Sequence, residues 1–249
     1  IEYCGLYWHN ENSPEPRTKN YHFNKMKSCN QLGIRLITIF EDEWTHRQEQ
    51  CKNFIKSAVG VFSNKIHARK CLVKEISKKE SNCFYEENHI LGKCNSTKFA
   101  CGLFFNNELV AVLTLGKHHR KNAKNNIVLN RFCVKNNYHI PGGFSKLLKN
   151  SIEWAKLKNY DSIISWSDSR WSEGNLYAKN GFTLEEELPP DYSYYNSNKR
   201  AERISKQSCK KNNINCPVEL TEKQHMNNLN YYRIWDCGKK RWIININRE

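Results

Sequence analysis

An acidic and an imidazole side chain near the start of the sequence form the first pair that could do chemistry. Glu2 and His9 are seven residues apart in an apolar, β-like run, and on an unbroken strand they would face opposite sides of a sheet. Gly5 offers a place for a bulge or bend that would bring them together. A carboxylate beside an imidazole suits a divalent metal ion and a water to be activated, which is the usual apparatus for hydrolysing a phosphodiester. The alternative is that Glu2 is a surface residue and His9 packs beside Trp8.

Positive charge is the strongest global feature of the chain. The 249 residues include 40 Lys and Arg against 25 Asp and Glu, which gives a net charge of +15. Such a charge predicts a polyanionic partner, and DNA is the first candidate. The alternative is compositional drift in a chain rich in Lys, Asn and Ile.

Two groups of basic residues are predicted to contact DNA. Between residues 196 and 211, basic side chains recur every three or four positions, so a helix would present them as one stripe. Nearby Tyr192, Tyr194 and Tyr195 could stack unpaired bases. The second group lies in a basic loop at 117–124. With Arg170, discussed below, the predicted contacts are Lys117, Arg120, Lys121, Arg170, Arg200, Arg203, Lys206 and Lys210.

Composition indicates a folded protein with reduced thiols. Hydrophobic residues make up 39% of the chain, and its eleven cysteines are scattered, odd in number and mostly within apolar runs. The sequence contains no secretory signal and no apolar stretch of membrane length. We therefore expect an intracellular protein without a membrane partner, in the host cytoplasm if it is phage-encoded.

Periodicity predicts an α/β protein of two modules. The first 44 residues read as strand, helix, strand, over Ile1–Trp8, Tyr21–Leu32 and Ile34–Phe40. The second module begins with a hairpin that turns at Asn106-Asn107. Its further predicted elements are a strand at Ile127–Val134, a helix at Phe144–Leu157, a strand at Ser162–Ser167, a short helix at Asn175–Asn180 and a closing hairpin at Tyr231–Ile246.

The first module carries one family resemblance. The pattern I-E-x-x-G-x-x-W-H, then a helix, then G-I-R-L-I-x-I-F-E-D-E-W, resembles the second half of a Vsr-like (very-short-patch-repair) nuclease domain of the PD-(D/E)xK superfamily. This resemblance implies that Glu2 ligates Mg²⁺ and that His9 positions or activates a metal-bound water. The family places an Asp on the preceding strand, and Cys4 stands where Asp or Asn is common. Because the chain opens inside a strand without an initiator Met, we expect an N-terminally incomplete domain.

The second module resembles the GNAT acyltransferase superfamily from about Phe84 to Asp191. The order is hairpin, strand, Gly-rich turn, helix, strand, and a short helix ending in Y-x-x-x-G-F. The resemblance implies that the amides of Gly142 and Gly143 hold the pyrophosphate of an acyl-CoA. It also implies that Tyr177 protonates the leaving thiolate. Phe144 departs from the family, which has a small residue where the phosphate approaches.

A narrower resemblance covers W-S-D-S-R-W-S-E-G-N-L-Y-A-K-N-G-F, with N-H-I-L-G before it and P-D-Y-x-Y after it. This string is similar to a C-terminal module of phage-borne nucleases and to the GNAT-like Mom DNA-modification proteins. In it, Asp168 could act as a base and Arg170 could clamp a phosphate or carboxylate. The alternative is that Asp168 caps the turn and Arg170 pairs with it structurally.

Together these patterns predict a Vsr-like domain with its linker at 1–78, a GNAT-like domain at 79–195, and a basic helix with a closing hairpin at 196–249. The leading hypothesis is a Mg²⁺-dependent DNA endonuclease of the homing or mobile-element type, with Glu2 and His9 at its centre. The first alternative is a Mom-like acyltransferase that modifies DNA bases, and the second is an inactive DNA-binding remnant.

Overall fold

A computed structural model describes residues 1–118, 125–196, 198 and 202–246. The strands are β1 (Glu2–Cys4), β2 (Thr38–Phe40), β3 (Asn64–Lys65), β4 (Leu72–Glu75), β5 (Phe99–Phe105), β6 (Glu108–Lys117), β7 (Asn126–Val134), β8 (Tyr138–His139), β9 (Ser162–Asp168), β10 (Thr183–Leu188), β11 (Tyr192–Asn196), β12 (Ile204–Ser205), β13 (Tyr231–Trp235) and β14 (Lys239–Asn245). The helices are α1 (Tyr21–Gln31), α2 (Glu41–His46), α3 (Gln48–Ala58), α4 (Lys78–Asn88), α5 (Gly143–Leu157), α6 (Asn175–Ala178) and α7 (Glu222–Asn228). The predicted α/β class is confirmed.

The chain forms two compact units, each assembled from separate stretches of sequence. Unit 1 contains Ile1–Arg47, Ser167–Gly174 and Glu186–Lys240. Unit 2 contains Gln48–Trp166, Asn175–Glu185 and Arg241–Glu249. The predicted ranges 1–78, 79–195 and 196–249 were each continuous in sequence, unlike these units.

The larger sheet has the strand order β10-β14-β9-β7-β6-β5-β4 within the described residues. The predicted hairpin is present, because Asn106 and Asn107 adopt φ values of 49° and 64° between the antiparallel strands β5 and β6. Two consecutive residues with positive φ are typical of a type I′ turn. Helix α5 packs its apolar face, with Leu147 and Ala155, into the hydrophobic core of unit 2. The hairpin and the helix were both predictable from local sequence.

Unit 1 contains the predicted strand, helix and strand of the N-terminal segment. Strands β1 and β2 pair in parallel, and α1 lies between them in sequence. Strand β1 is shorter than predicted because the chain turns after Gly5, whose carbonyl oxygen accepts hydrogen bonds from the amides of Trp8 and His9, both at 3.1 Å. The bend expected near Gly5 is therefore present, and it ends the strand at Cys4.

Two predicted elements of the C-terminal part are wrong. In the described part of 196–211, the chain forms the short strand β12 in place of a basic helix. The closing hairpin is not a hairpin either, because β13 belongs to the sheet β12-β11-β13 and β14 to the larger sheet. The backbone between these strands is bonded elsewhere: the amide of Asp236 donates to the carbonyl of Asp191 at 2.9 Å, and the carbonyl of Gly238 accepts from Ser169 at 3.1 Å.

None of the helices in the described residues combines the length and the apolar character needed to cross a lipid bilayer.

Candidate functional site

The strands at the centre of unit 2 separate partway along their length. Strands β7 and β9 pair in parallel, and within the described residues their pairing ends at Val128 and Ile164. Both strands continue beyond these residues. The result is a fork between the two strands at their carboxyl ends. Ligands of α/β sheets bind in crevices at this end of parallel strands.

A bulge in β7 lies at the level of this fork. Thr114 of β6 pairs with Arg131, but the next residue, Leu115, pairs with Leu129, so Asn130 is the extra residue of β7. The side-chain amide of Asn130 donates to the carbonyl of Ser96 at 2.8 Å. Because a bulge bends its strand, this one helps to turn β7 away from β9.

The hydroxyl of Tyr177 lies at the fork, on helix α6. Its oxygen is 2.9 Å from Ser165 Oγ, and Ser165 Oγ also donates to the carbonyl of Leu129 at 3.0 Å. The Tyr177 ring stacks on Trp242 with ring centroids 5.9 Å apart. Burial among such rings raises the pKa of Tyr177, and the contact with Ser165 opposes the shift only partly. Tyr177 therefore keeps its proton at neutral pH, as a proton donor must before it acts.

Helix α5 begins at an exposed turn close to Tyr177. Its N-cap, Gly142, has φ 77°, a left-handed conformation that strains any residue with a β-carbon, and no acidic residue lies in the first turn of the helix. Phe144 packs on Phe132 at 5.0 Å and on Tyr177 at 5.9 Å between ring centroids, and it is buried. The Phe144 side chain is thus part of the core and does not cover the helix end. A helix N-terminus of this kind favours an anion.

Exposed cations beside this turn were missed by the sequence analysis. The amide of Ala68 donates to the carbonyl of Pro141 at 3.0 Å, so the segment Ala68–Lys70 lies against the residues that precede α5. Arg69 and Lys70 in this segment are exposed. Their local sequence gives no indication that they border the turn, because the residues that precede α5 are distant from them in the chain.

Arg170, by contrast, is buried in unit 1 and was wrongly predicted to bind DNA. Its side chain donates to Glu43 Oε1 at 2.8 Å and to Asp168 Oδ2 at 2.9 Å. The backbone amide of Arg170 also donates to Asp168 Oδ1 at 3.0 Å. Asp168 therefore caps the turn and pairs with Arg170, which is the structural alternative to its predicted role as a base. With both carboxylates in contact and 5% of its surface exposed, Arg170 is not available to a phosphate.

Arg203 is engaged in the same network. Its Nε lies 2.9 Å from Asp42 Oδ2, and its Nη2 lies 2.9 Å from Glu43 Oε1. The guanidinium groups of Arg170 and Arg203 also approach the ring of Phe40, at 5.2 and 4.1 Å from its centroid. Burial alone would raise the pKa of Glu43, but Arg170 and Arg203 outweigh it and bring that pKa to about 2. The prediction that Arg203 grips DNA is contradicted by these contacts.

The remaining predicted DNA contacts differ in their surroundings. Lys206 pairs with Asp191 at 2.8 Å, whereas Lys117 and Lys210 are exposed. Tyr194 and Tyr195, which were expected to stack bases, are buried. Arg120, Lys121 and Arg200 lie outside the described residues.

Glu2 and His9 lie together in unit 1, with two residues that the sequence analysis did not single out as ligands. Each of Glu2, Cys4, His9 and His22 offers one possible ligand atom, and these atoms lie within 4.8 Å of one another. Burial and the neighbouring His22 lower the pKa of His9 to about 4, so its ring is neutral at pH 7. Burial raises the pKa of Glu2, but His22 and Lys25 outweigh it and bring the value to about 2. The predicted Mg²⁺ does not fit a set containing a thiol and two imidazoles, because this ion prefers oxygen ligands.

Comparison with known proteins overturns the nuclease hypothesis. The Mom protein family matches residues 70–247, and no curated protein matches the chain significantly in sequence. The matched family is one of DNA modification, so the predicted Mg²⁺-dependent endonuclease activity is wrong. Nothing in the comparisons supports a Vsr-like domain.

Similar solved structures are acetyltransferases. One from Staphylococcus aureus Mu50 is 12% identical, with a TM-score of 0.43 over 71% of this chain and 99% of that one. An IAA acetyltransferase from Bacillus cereus is 14% identical, with a TM-score of 0.42 over 70% of this chain and 99% of that one. A GNAT family N-acetyltransferase from Escherichia coli, in complex with CoA, is 12% identical, with a TM-score of 0.37 over 46% of this chain and 69% of that one. TM-scores below 0.5 carry no conclusion about activity, whereas the family match covers more than half of the residues: this chain belongs to the Mom protein family.

Proposed function

We propose that this chain is an acyl-group transferase that modifies DNA bases, with the acyl-CoA donor held at the start of α5. The observation that carries the proposal is the fork between β7 and β9 next to the exposed turn at Gly142. The match to a family of DNA modification and the order of elements shared with the GNAT superfamily support it.

Two parts of unit 2 are assigned to different parts of the donor. The amide of Gly143, predicted to hold the pyrophosphate, already donates to the carbonyl of Ile140 at 2.9 Å. The amides of Phe144 and Ser145, which follow it in the first turn of α5, and the cations Arg69 and Lys70 offer partners for phosphate groups. At the fork, backbone groups of β7 and β9 are not paired with each other, so an extended part of the acyl-CoA can lie between the two strands. The donor supplies a thioester, whose carbonyl carbon is open to attack by an amine.

Tyr177 is the residue that we assign to the proton transfer. When an amino group of a base attacks the thioester, a bond from nitrogen to carbon forms and the bond from carbon to sulfur breaks. The thiolate that leaves takes a proton from the Tyr177 hydroxyl, the amine proton passes to solvent, and the Tyr177 phenolate then recovers a proton from solvent. The raised pKa of Tyr177 keeps the proton in place until sulfur becomes negative.

DNA is the proposed acceptor because of the charge of the chain and its family. The net charge of +15 favours a polyanion, and exposed lysines such as Lys117 and Lys210 remain available for phosphate contacts. Chemistry on a base requires that the base leave the stack or be single-stranded.

Calorimetry with acetyl-CoA tests the donor site. Gly142→Val places a β-carbon on a left-handed residue at the helix start, so we expect affinity at least about tenfold weaker than that of the wild type. Gly33→Val is the matched control, because Gly33 also has positive φ, 71°, with open space around it, but lies in unit 1. Absence of binding by the wild-type chain, or equal weakening by both substitutions, would contradict the proposal.

Analysis of plasmid DNA tests the reaction. The chain is co-expressed with a plasmid, the DNA is digested to nucleosides, and mass spectrometry is used to search for a base with added mass. We expect such a base with the wild type and its loss with Gly142→Val. Unmodified DNA together with proven acetyl-CoA binding would exclude DNA as the acceptor and leave the donor site standing.

A further inference from the structure

Four potential metal ligands from three elements meet near the start of unit 1. Glu2 and Cys4 come from β1, His9 from the turn that follows Gly5, and His22 from α1. We propose that this cluster binds one zinc ion, and that the ion has a structural role in unit 1. The proposal does not depend on the transferase function, since these residues precede the family match at 70–247.

The spacing of the ligand atoms suits a tetrahedral ion. In such a site, metal-to-nitrogen distances of about 2.0 Å place two ligand nitrogens about 3.3 Å apart. His9 Nδ1 and His22 Nε2 are 3.3 Å apart. All four possible ligand atoms lie within 4.8 Å of one another, so small side-chain movements would complete the tetrahedron.

Two buried polar atoms in the cluster have no hydrogen-bond partner. They are Glu2 Oε2 and His22 Nδ1, and His22 is only 1% exposed. Nearly all buried polar side-chain atoms in proteins are paired, because an unpaired one has lost its hydrogen bonds to water without replacement. The two atoms are 3.9 Å apart, beyond hydrogen-bond distance. A cation bound by Glu2 Oε2 would satisfy that oxygen, and His22 Nδ1, the nitrogen left over when Nε2 is the ligand, faces the same carboxylate.

The types of ligand select zinc over the hard cations. A thiolate, two imidazoles and one carboxylate form a mixed sulfur, nitrogen and oxygen set that suits zinc, whereas Mg²⁺ and Ca²⁺ require oxygen ligands. Four protein ligands leave no open position for a water, which is the arrangement of structural sites. On binding, the Cys4 thiol would release its proton to solvent.

The position of the cluster explains what the ion would do. Strand β1 has three residues and pairs with β2, also of three residues, which is too little to hold the N-terminal segment by hydrogen bonds alone. An ion shared by β1, the following turn and α1 would fix all three. Lys25 Nζ already holds the other carboxylate oxygen of Glu2 at 2.6 Å, as neighbours that orient metal ligands do.

Metal analysis of the purified full chain tests the site. We expect one equivalent of zinc per chain, falling to about a tenth or less in Cys4→Ser and in His22→Gln. The matched controls are Cys29→Ser on the same helix as His22, and His225→Gln elsewhere in unit 1. Both controls are expected to keep the full equivalent. Zinc retained in full by Cys4→Ser and His22→Gln would overturn the proposal.

Cobalt titration covers the case in which these variants do not fold. The wild-type chain is stripped with a chelator and titrated with Co²⁺, which should give the visible absorption of a tetrahedral ion and a thiolate charge-transfer band at one equivalent. Zinc is expected to displace it, and removal of the ion should lower the Tm by about 5 °C or more. A stripped chain that keeps its Tm and binds no cobalt would overturn the proposal.

Discussion

Basic side chains have opposite environments in the two units. In unit 1, Arg170 and Arg203 are enclosed by carboxylates and share Glu43. In unit 2, Arg69 and Lys70 are exposed beside the start of α5. The sequence gives all four the same formal charge, but only the second pair is free to attract an anion from solution. A count of positive charges therefore overestimates the surface offered to DNA, because part of the charge stabilises the fold.

The largest effect is expected from removing the guanidinium at the centre of unit 1. Arg170→Met leaves Glu43 and Asp168 without their main partner, so we expect the free energy of unfolding to fall by about 3–5 kcal/mol. Urea denaturation measures this change. Lys210→Met, at an exposed position, is the control and should change it by about 0.5 kcal/mol or less. If Arg170→Met kept full stability and lost DNA affinity instead, Arg170 would be a DNA contact and not a stabilising residue of unit 1.

Low pH should weaken the ion pairs of Glu43 with Arg170 and Arg203. The folded pKa of Glu43, about 2, is below its ordinary value of 4.5, so its contribution is complete above pH 4.5 and is lost as pH falls through about 2. The shift corresponds to about 3 kcal/mol. Unfolding of the wild type and of Glu43→Gln is compared between pH 7 and pH 2, and the wild type should lose more stability over the acid range. If the free energy of unfolding changed with pH in the same way in both proteins, the ion pairs of Glu43 with the two arginines would not contribute to stability.

In unit 2, the next largest effect is expected from removing the Tyr177 hydroxyl. Tyr177→Phe keeps the ring contacts with Trp242 and removes the hydroxyl, so transfer should slow by about 100-fold while acetyl-CoA affinity changes less than about twofold. Rates come from the formation of free thiol in the presence of DNA. Tyr160→Phe, whose ring stacks on Trp154 in the same unit, should leave the rate unchanged. An equal loss in both variants would point to a packing role for Tyr177.

The contrast between the units also shows what local sequence can and cannot predict. The turn at Asn106-Asn107 and helix α5 follow from signals within a few residues, and both are present. Arg170 and Glu43 are 127 positions apart, so no spacing pattern could pair them. The basic stripe at 196–211 failed as a helix for the same reason, because Arg203 is held by the distant Asp42.

The nuclease hypothesis failed because it rested on a short stretch. The strand, helix, strand order at 1–44 is correct, and the bend after Gly5 does bring Glu2 and His9 together. That order is common to many folds, so it does not determine activity. The cluster of possible metal ligands is recognisable only in the folded structure, where Cys4 and His22 lie close to Glu2. No sequence motif links these side chains.

The smallest effect is expected from the exposed cations of unit 2. Changing both Arg69 and Lys70 to Ser should weaken acetyl-CoA binding by about three- to tenfold, because solvent screens exposed charges and limits their contribution. The loss should shrink as salt is raised, since the attraction that is removed is itself screened. Calorimetry at low and high ionic strength measures both effects, with the pair Lys210→Ser and Lys211→Ser, exposed in unit 1, as the charge-matched control. A loss of the same size in the control would mean that net charge attracts the donor and that the position of Arg69 and Lys70 beside α5 is irrelevant.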